Sequence, residues 1–207
     1  MRFSDKEMGL AGRRVTAARA ISRLTPAPLF NLYIAILIAY TSPIGLGPIL
    51  EPIGAIIICF LLMVVLPLAP IVLSAWRGHT DLDVSDRSRR TVFFVFSVLC
   101  YAMAYVVYGV YQCHVMQVLA AAYIVVTTAT TMITTRTKVS VHAVGVAGPS
   151  TAVIYMYGPI GLPLLLLWVT VAWSRVVLKQ HTYRQTFLGA VTGAVFTLLT
   201  YALLYGR

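Results

Sequence analysis

Seven strongly apolar stretches separated by short polar punctuation run along the chain, at 28–46, 52–76, 91–112, 115–135, 141–157, 159–178 and 186–205. Each is close to the ~20 residues an α-helix needs to cross a hydrocarbon core of ~30 Å. The pattern predicts an all-α fold, a polytopic transmembrane helical bundle of six or seven spans. The first stretch is the ambiguous one, because its Pro/Gly-rich end (Pro43, Gly45, Gly47, Pro48) also suits a re-entrant segment. Ahead of the spans, residues 1–25 place Arg2, Lys6, Arg13, Arg14, Arg19 and Arg23 among Ala, Val, Ile and Leu. This reads as a basic amphipathic segment lying on the cytoplasmic surface. No small-residue cleavage pattern follows the apolar run after Leu29, so the segment reads as uncleaved. Residues 26–207 then form one transmembrane domain, with no room for a soluble one.

Composition excludes an ordinary globular domain. Of 207 residues 59% are hydrophobic and 11% charged, against roughly 25% charged in soluble proteins; the mean hydropathy is +0.86. A net charge of +10 would point to nucleic acid in a soluble chain. Here it reports orientation and contact with membrane lipids, and no nucleic acid partner is expected. With seven spans and a cytoplasmic N-terminus, fifteen of the sixteen Lys and Arg fall inside and only Arg207 outside. The three loops at 77–90, 136–138 and 175–184 then share one face. Cys59, Cys100 and Cys113 have no paired spacing and read as packing residues. Gly189-x-x-x-Gly193 reads as internal helix packing. His114 falls at the opposite end, and Glu51 in a solvated loop.

Polar residues at the ends of such helices are costly unless they act. They gather in Lys138-Val139-Ser140-Val141-His142 and, one span later, in Ser174-Arg175, His181 and Gln185. Lys138 and His142 are four apart, as are His181 and Gln185, so each pair shares a face if one helix covers both. Arg175 and His181, six apart, converge only if the chain turns between them. Two imidazoles with Lys and Arg donors at helix N-termini, and no clear carboxylate base, suit concentrated negative charge, phosphate above all.

Arg175-x5-His181-x3-Gln185, preceded by Ser174, resembles the third signature of the type 2 phosphatidic acid phosphatase superfamily, Ser-Arg-x5-His-x3-Asp. These are the membrane phosphatases related to vanadium haloperoxidases. Val139-Ser140-Val141-His142 resembles the second signature, Pro-Ser-Gly-His, in its Ser and His. The resemblance covers roughly residues 136–193. It implies a lipid phosphatase that uses no cofactor and no metal. His181 would attack phosphorus to give a phosphohistidine, and His142 would protonate the leaving alkoxide and then activate water. Arg175, Lys138 and the backbone near Ser140 would hold the phosphate oxygens. A polyprenyl or glycerolipid phosphate is the implied substrate. The family's Asp is Gln185 here, which can accept the imidazole N–H but supplies no charge. That departure keeps open a weakened lipid-phosphate binding or transport protein, or a phosphotransferase using an acceptor other than water.

The first signature, Lys-x6-Arg-Pro, is absent. Its role falls to Lys138 with Arg136, or to Arg87 and Arg90. The segment 79–90 is open to three readings: a solvated loop, a phosphate clamp formed by Arg87 and Arg90, or a Mg²⁺ site of Asp81, Asp83 and Asp86. Lys179 and Arg184 flank His181 and read as headgroup-attracting or merely solvated. The oligomeric state is not legible.

Overall fold

A computed structural model describes residues 11–82, 84 and 86–206, with only the backbone of Arg87 and Ser88. All regular structure among the described residues is helical: α1 (Arg13–Leu24), α2 (Ala27–Thr41), α3 (Pro52–Ile58), α4 (Leu66–Trp76), α5 (Arg87–Val110), α6 (His114–Arg136), α7 (Val141–Tyr157), α8 (Leu165–Val177) and α9 (Tyr183–Leu204). A π-helical stretch, Cys59–Val65, joins α3 to α4, and a 3-10 stretch, Gly158–Leu164, joins α7 to α8. Five helical segments are long and apolar enough to cross a membrane, or six if α1 and α2, bent by 57°, count as one broken span. Large apolar side chains face outward, including Ile160 (84% exposed), Val92 (71%) and Phe187 (70%). Such a surface suits lipid rather than water.

The 37-residue segment Val141–Val177 is a hairpin rather than a rod. Gly158 sits at φ 66, and a Cβ on Gly161 would lie 2.9 Å from Ile154 Cα. On a straight helix those residues would be ~10 Å apart. Pro159 and Pro163 set the return, and α7 packs on α8. The π-helical stretch sits just ahead of Pro67, which has no N–H to give the Met63 carbonyl four residues earlier. Buried Asn31 of α2 donates its Nδ2 to that carbonyl at 3.4 Å.

Contacts between helix ends sort into two sets. At one end the Thr41 and Tyr157 hydroxyls are 2.7 Å apart, His114 Nε2 bonds the Leu204 carbonyl at 3.0 Å, and a Cβ on Gly47 would overlap the Gln112 carbonyl. At the other, polar end the loops after α4, α6 and α8 meet. The central pair is α7 with α9. A Cβ on Gly193 would lie 2.7 Å from the Val144 carbonyl, and one on Gly189 2.7 Å from that of Ser140. Gly189-x-x-x-Gly193 is therefore an internal packing seam, as expected. The three cysteines are buried and unpaired, and Glu51 is exposed.

Several boundaries differ from the sequence reading. The first span stops at Thr41, and residues 42–51 form turns without a helix. The sixth opens as a 3-10 turn, leaving a 13-residue α8. The basic segment does not only coat a surface. Val15 and Ala18 of α1 pack on Trp173 and Val177 of α8 and on Leu178 just after it, with the Arg14 guanidinium 5.9 Å from the Trp173 ring centre. Residues 1–10 of that segment lie outside the described residues.

Candidate functional site

α8 ends in a Schellman turn. The Lys179 N–H bonds the Val176 carbonyl at 2.9 Å and the Gln180 N–H the Arg175 carbonyl at 3.0 Å, while the His181 N–H also reaches that carbonyl at 3.3 Å. The left-handed position of such a turn usually holds Gly, but here Lys179 takes it at φ 53. This reversal is what lets Arg175 and His181 converge despite a spacing of six.

α9 starts with a capping box. The Thr182 hydroxyl accepts from the Gln185 N–H at 3.3 Å, and Gln185 Oε1 accepts from the Thr182 N–H at 3.2 Å. The same Oε1 lies 3.2 Å from His181 Nδ1. Because Oε1 is an acceptor only, Nδ1 must carry the proton, which leaves the lone pair on Nε2. His181 precedes the helix, so the pair meets through the cap and not along a shared helical face. The Thr182-x-x-Gln185 pattern was legible as a capping box. The resemblance drew attention instead to Gln185 as a substitute for Asp.

Lys138 and His142 differ from expectation in the same way. α7 begins at Val141 with Ser140 as its N-cap, the Ser140 hydroxyl accepting from the Ala143 N–H at 3.4 Å. Lys138 therefore lies in the extended approach, and only His142 is helical. The Ser140 N–H donates to the Gln185 carbonyl at 3.3 Å, which ties the start of α7 to the start of α9. Arg90, buried on the first turn of α5, donates from Nε to the Val84 carbonyl at 2.7 Å and from a terminal nitrogen to the Val139 carbonyl at 3.0 Å. Three helix N-termini thus converge, those of α5, α7 and α9, and each contributes the positive end of a helix dipole.

His181 is buried at 8% exposure. Burial first, then the positive fields of Arg175 and Lys138, push its imidazole from 6.5 down to about 3; Arg90 adds to this and the Gln185 bond opposes it. From Arg87 to the C-terminus the sequence contains no Asp or Glu. The result is a neutral imidazole in a strongly cationic, desolvated setting, arranged to receive an anion.

Buried Arg175 also donates from a terminal nitrogen to the Ser22 hydroxyl of α1 at 2.7 Å. No sequence pattern pointed to Ser22. Ser174 is occupied within its own helix, its hydroxyl bonding the Val171 carbonyl at 2.9 Å. His142 and Arg90 line a cavity of about 190 Å³ whose wall does not include His181 or Arg175, and Arg90 is common to both settings, since its charge also acts on His181. Lys179 and Arg184 are exposed.

The 79–90 loop is partly self-contained. Arg89 donates to the His79 carbonyl at 2.5 Å and lies 3.6 Å from the Asp86 carboxylate. The Arg87 side chain and Asp83 lie outside the described residues, so of the expected clamp Arg90 alone is placed, bound to backbone carbonyls. Among the described residues no three His, Cys, Asp or Glu side chains come together as metal ligands.

No family model, curated protein or solved structure matches this chain.

Proposed function

We propose that this chain is a membrane lipid phosphatase that hydrolyses a phosphomonoester or diphosphate of a lipid through a phosphohistidine, with its site at the cytoplasmic face of the cell membrane and seven spans. The observation that carries this reading is the setting of His181. A neutral imidazole, with its Nδ1 proton held by Gln185, stands among Arg175, Lys138 and Arg90 where three helix N-termini meet. That arrangement suits a nucleophile more than a structural histidine, since Nε2 keeps its lone pair at neutral pH. In the proposed reaction Nε2 attacks phosphorus as the P–O bond to the lipid breaks, and the leaving oxygen takes a proton from the His142 imidazole, which shares Arg90 as a neighbour with His181. Water then attacks phosphorus, giving a proton to His142 as the P–N bond breaks, which releases phosphate and restores neutral His181. Arg175, Lys138 and the peptide N–H groups near Ser140 balance the charge on the equatorial oxygens. The positive-inside distribution of Lys and Arg supports the cytoplasmic assignment.

One observation favours a second reading. Gln185 Oε1 is already bound to the Thr182 N–H and brings no charge to stabilise a positive imidazole. This suits a protein that binds a lipid phosphate and turns it over slowly, or not at all.

Phosphate release by the purified protein from a panel of prenyl, alkyl and glycerolipid phosphates separates the two. The phosphatase reading expects release that survives EDTA and falls by roughly 10³-fold or more in His181→Ala. Activity retained in that variant, or lost to EDTA and restored by Mg²⁺, rules out the phosphohistidine. Saturable binding without release from any substrate selects the second reading.

A further inference from the structure

The cavity lined by Arg90 and His142 has more to it than its polar mouth. At the polar end it begins at Leu82, 66% exposed, and it reaches Ala152 on α7, which is fully buried. From His142 to Ala152 is ten residues of one helix, ~15 Å of rise, about half of a ~30 Å hydrocarbon core. On α5 the wall runs from Arg90 to Tyr101, a similar depth. The α7 wall combines Val141, Val144 and Pro149 with the small residues Gly145, Gly148 and Ala152; at the two glycines the helix packs closely on Ala27 of α2 and Thr197 of α9. Tyr101 and Tyr123 meet edge to face at 5.3 Å along the deeper wall. The hydroxyls of Ser97 and Thr130 are turned back on their own helices, bonding the Phe93 and Val126 carbonyls at 2.9 and 2.7 Å. The wall therefore presents mostly carbon, interrupted by the Tyr123 hydroxyl, with a guanidinium and an imidazole at the mouth and no acidic side chain among the described residues of the lining.

We propose that this shaft takes one hydrocarbon chain of a single-chain alkyl or isoprenyl phosphate, with the phosphate just outside its mouth, between Arg90 and His142 on one side and His181 on the other, and the chain running inward between α5, α6 and α7. The proposal rests on the reading of the polar end as a lipid-phosphate site and adds where the tail goes: into the bundle and not along its lipid-facing surface. Charge complementarity fixes the polarity of the occupant. A depth of half the core selects a chain of limited length.

Dodecyl phosphate carrying a diazirine at its terminal carbon tests this in the full-length protein in nanodiscs. Photolabelling mapped by mass spectrometry is expected on 119–126 of α6 and 149–152 of α7, suppressed by excess unlabelled dodecyl phosphate and not by dodecanol. Label confined to lipid-facing positions such as Val169 or Phe187, or none in the protein, overturns the shaft. In Ala152→Phe the shaft is shortened, so affinity for dodecyl phosphate should fall at least tenfold relative to hexyl phosphate. An unchanged ratio in a folded variant also overturns it. Should Ala152→Phe not fold, the photolabelling of the native chain decides alone. The two levels fail separately: hydrolysis or saturable binding of dodecyl phosphate with outer labelling sinks the shaft alone, whereas no binding of any alkyl phosphate sinks the phosphate reading as well.

Discussion

At Gln185 one carbonyl oxygen both caps α9, through the Thr182 N–H, and orients the His181 ring, each at 3.2 Å. Glu is the alternative residue of the same capping box, so Gln185→Glu keeps the helix start and adds a negative charge beside Nδ1. In the native protein the His181 pKa is depressed, to about 3, so the ring should show no titration between about pH 5 and 8, the interval in which an ordinary imidazole changes charge. The linkage follows from the sign. Between 6.5 and about 3 the unfolded chain binds a proton that the folded chain refuses, so this residue's contribution to stability is complete above 6.5 and declines as pH falls. In Gln185→Glu the added charge raises the folded value, so the ring should titrate at higher pH and the acid-side loss of stability should shrink. Ring-labelled histidine NMR with thermal unfolding at two pH values reads both. A native His181 that titrates near 6.5 would remove the electrostatic account of the site.

At the scale of elements, the seam between α7 and α9 holds the site's two halves in register. A Cβ on Gly193 meets backbone, the Val144 carbonyl at 2.7 Å and the Gly148 nitrogen at 2.9 Å, and neither can rotate away. Gly193→Ala therefore forces the helices apart, costing roughly 1–3 kcal/mol of overpacking against about 1 kcal/mol gained in helix propensity. The expected outcome is a lower midpoint of thermal unfolding, with the proposed phosphatase activity falling further than stability because the Ser140 to Gln185 bond lies at the end of this seam. An unchanged midpoint and unchanged turnover would show the seam to be compliant. This pair also shows what the sequence made legible. The glycines four apart named the seam, and apolar length named the helices, because both signals are local. The turn that joins Arg175 to His181 was hidden, since its left-handed residue is Lys179 where Gly would have announced it. Arg90 reaching the Val139 carbonyl, and Ser22 reaching Arg175, are contacts across 49 and 153 residues that no local pattern encodes. The capping box was local and readable; the resemblance to a family signature supplied a competing meaning for Gln185.

Across the whole molecule, charge and end-to-end contacts give a single polarity. Among the described residues no Lys or Arg belongs, by helix direction, to the end where Thr41 meets Tyr157 and His114 meets Leu204. Cationic residues are retained on the cytoplasmic side during insertion, so the proposed orientation makes opposite predictions for two exposed positions. Ile160, in the turn between α7 and α8, is 84% exposed at the far end; Thr182, beside His181, is exposed at the polar end. The native cysteines are buried, so single cysteines introduced by Ile160→Cys and Thr182→Cys should be the main targets of a membrane-impermeant maleimide. In intact cells Ile160→Cys should label at once and Thr182→Cys only after permeabilisation. The reverse pattern places the site outside and moves the substrate to the outer leaflet, with the chemistry of the site unaltered. Labelling of both in intact cells would mean that α7 and α8, 17 and 13 residues long, do not each cross the bilayer, and the seven-span arrangement would fall.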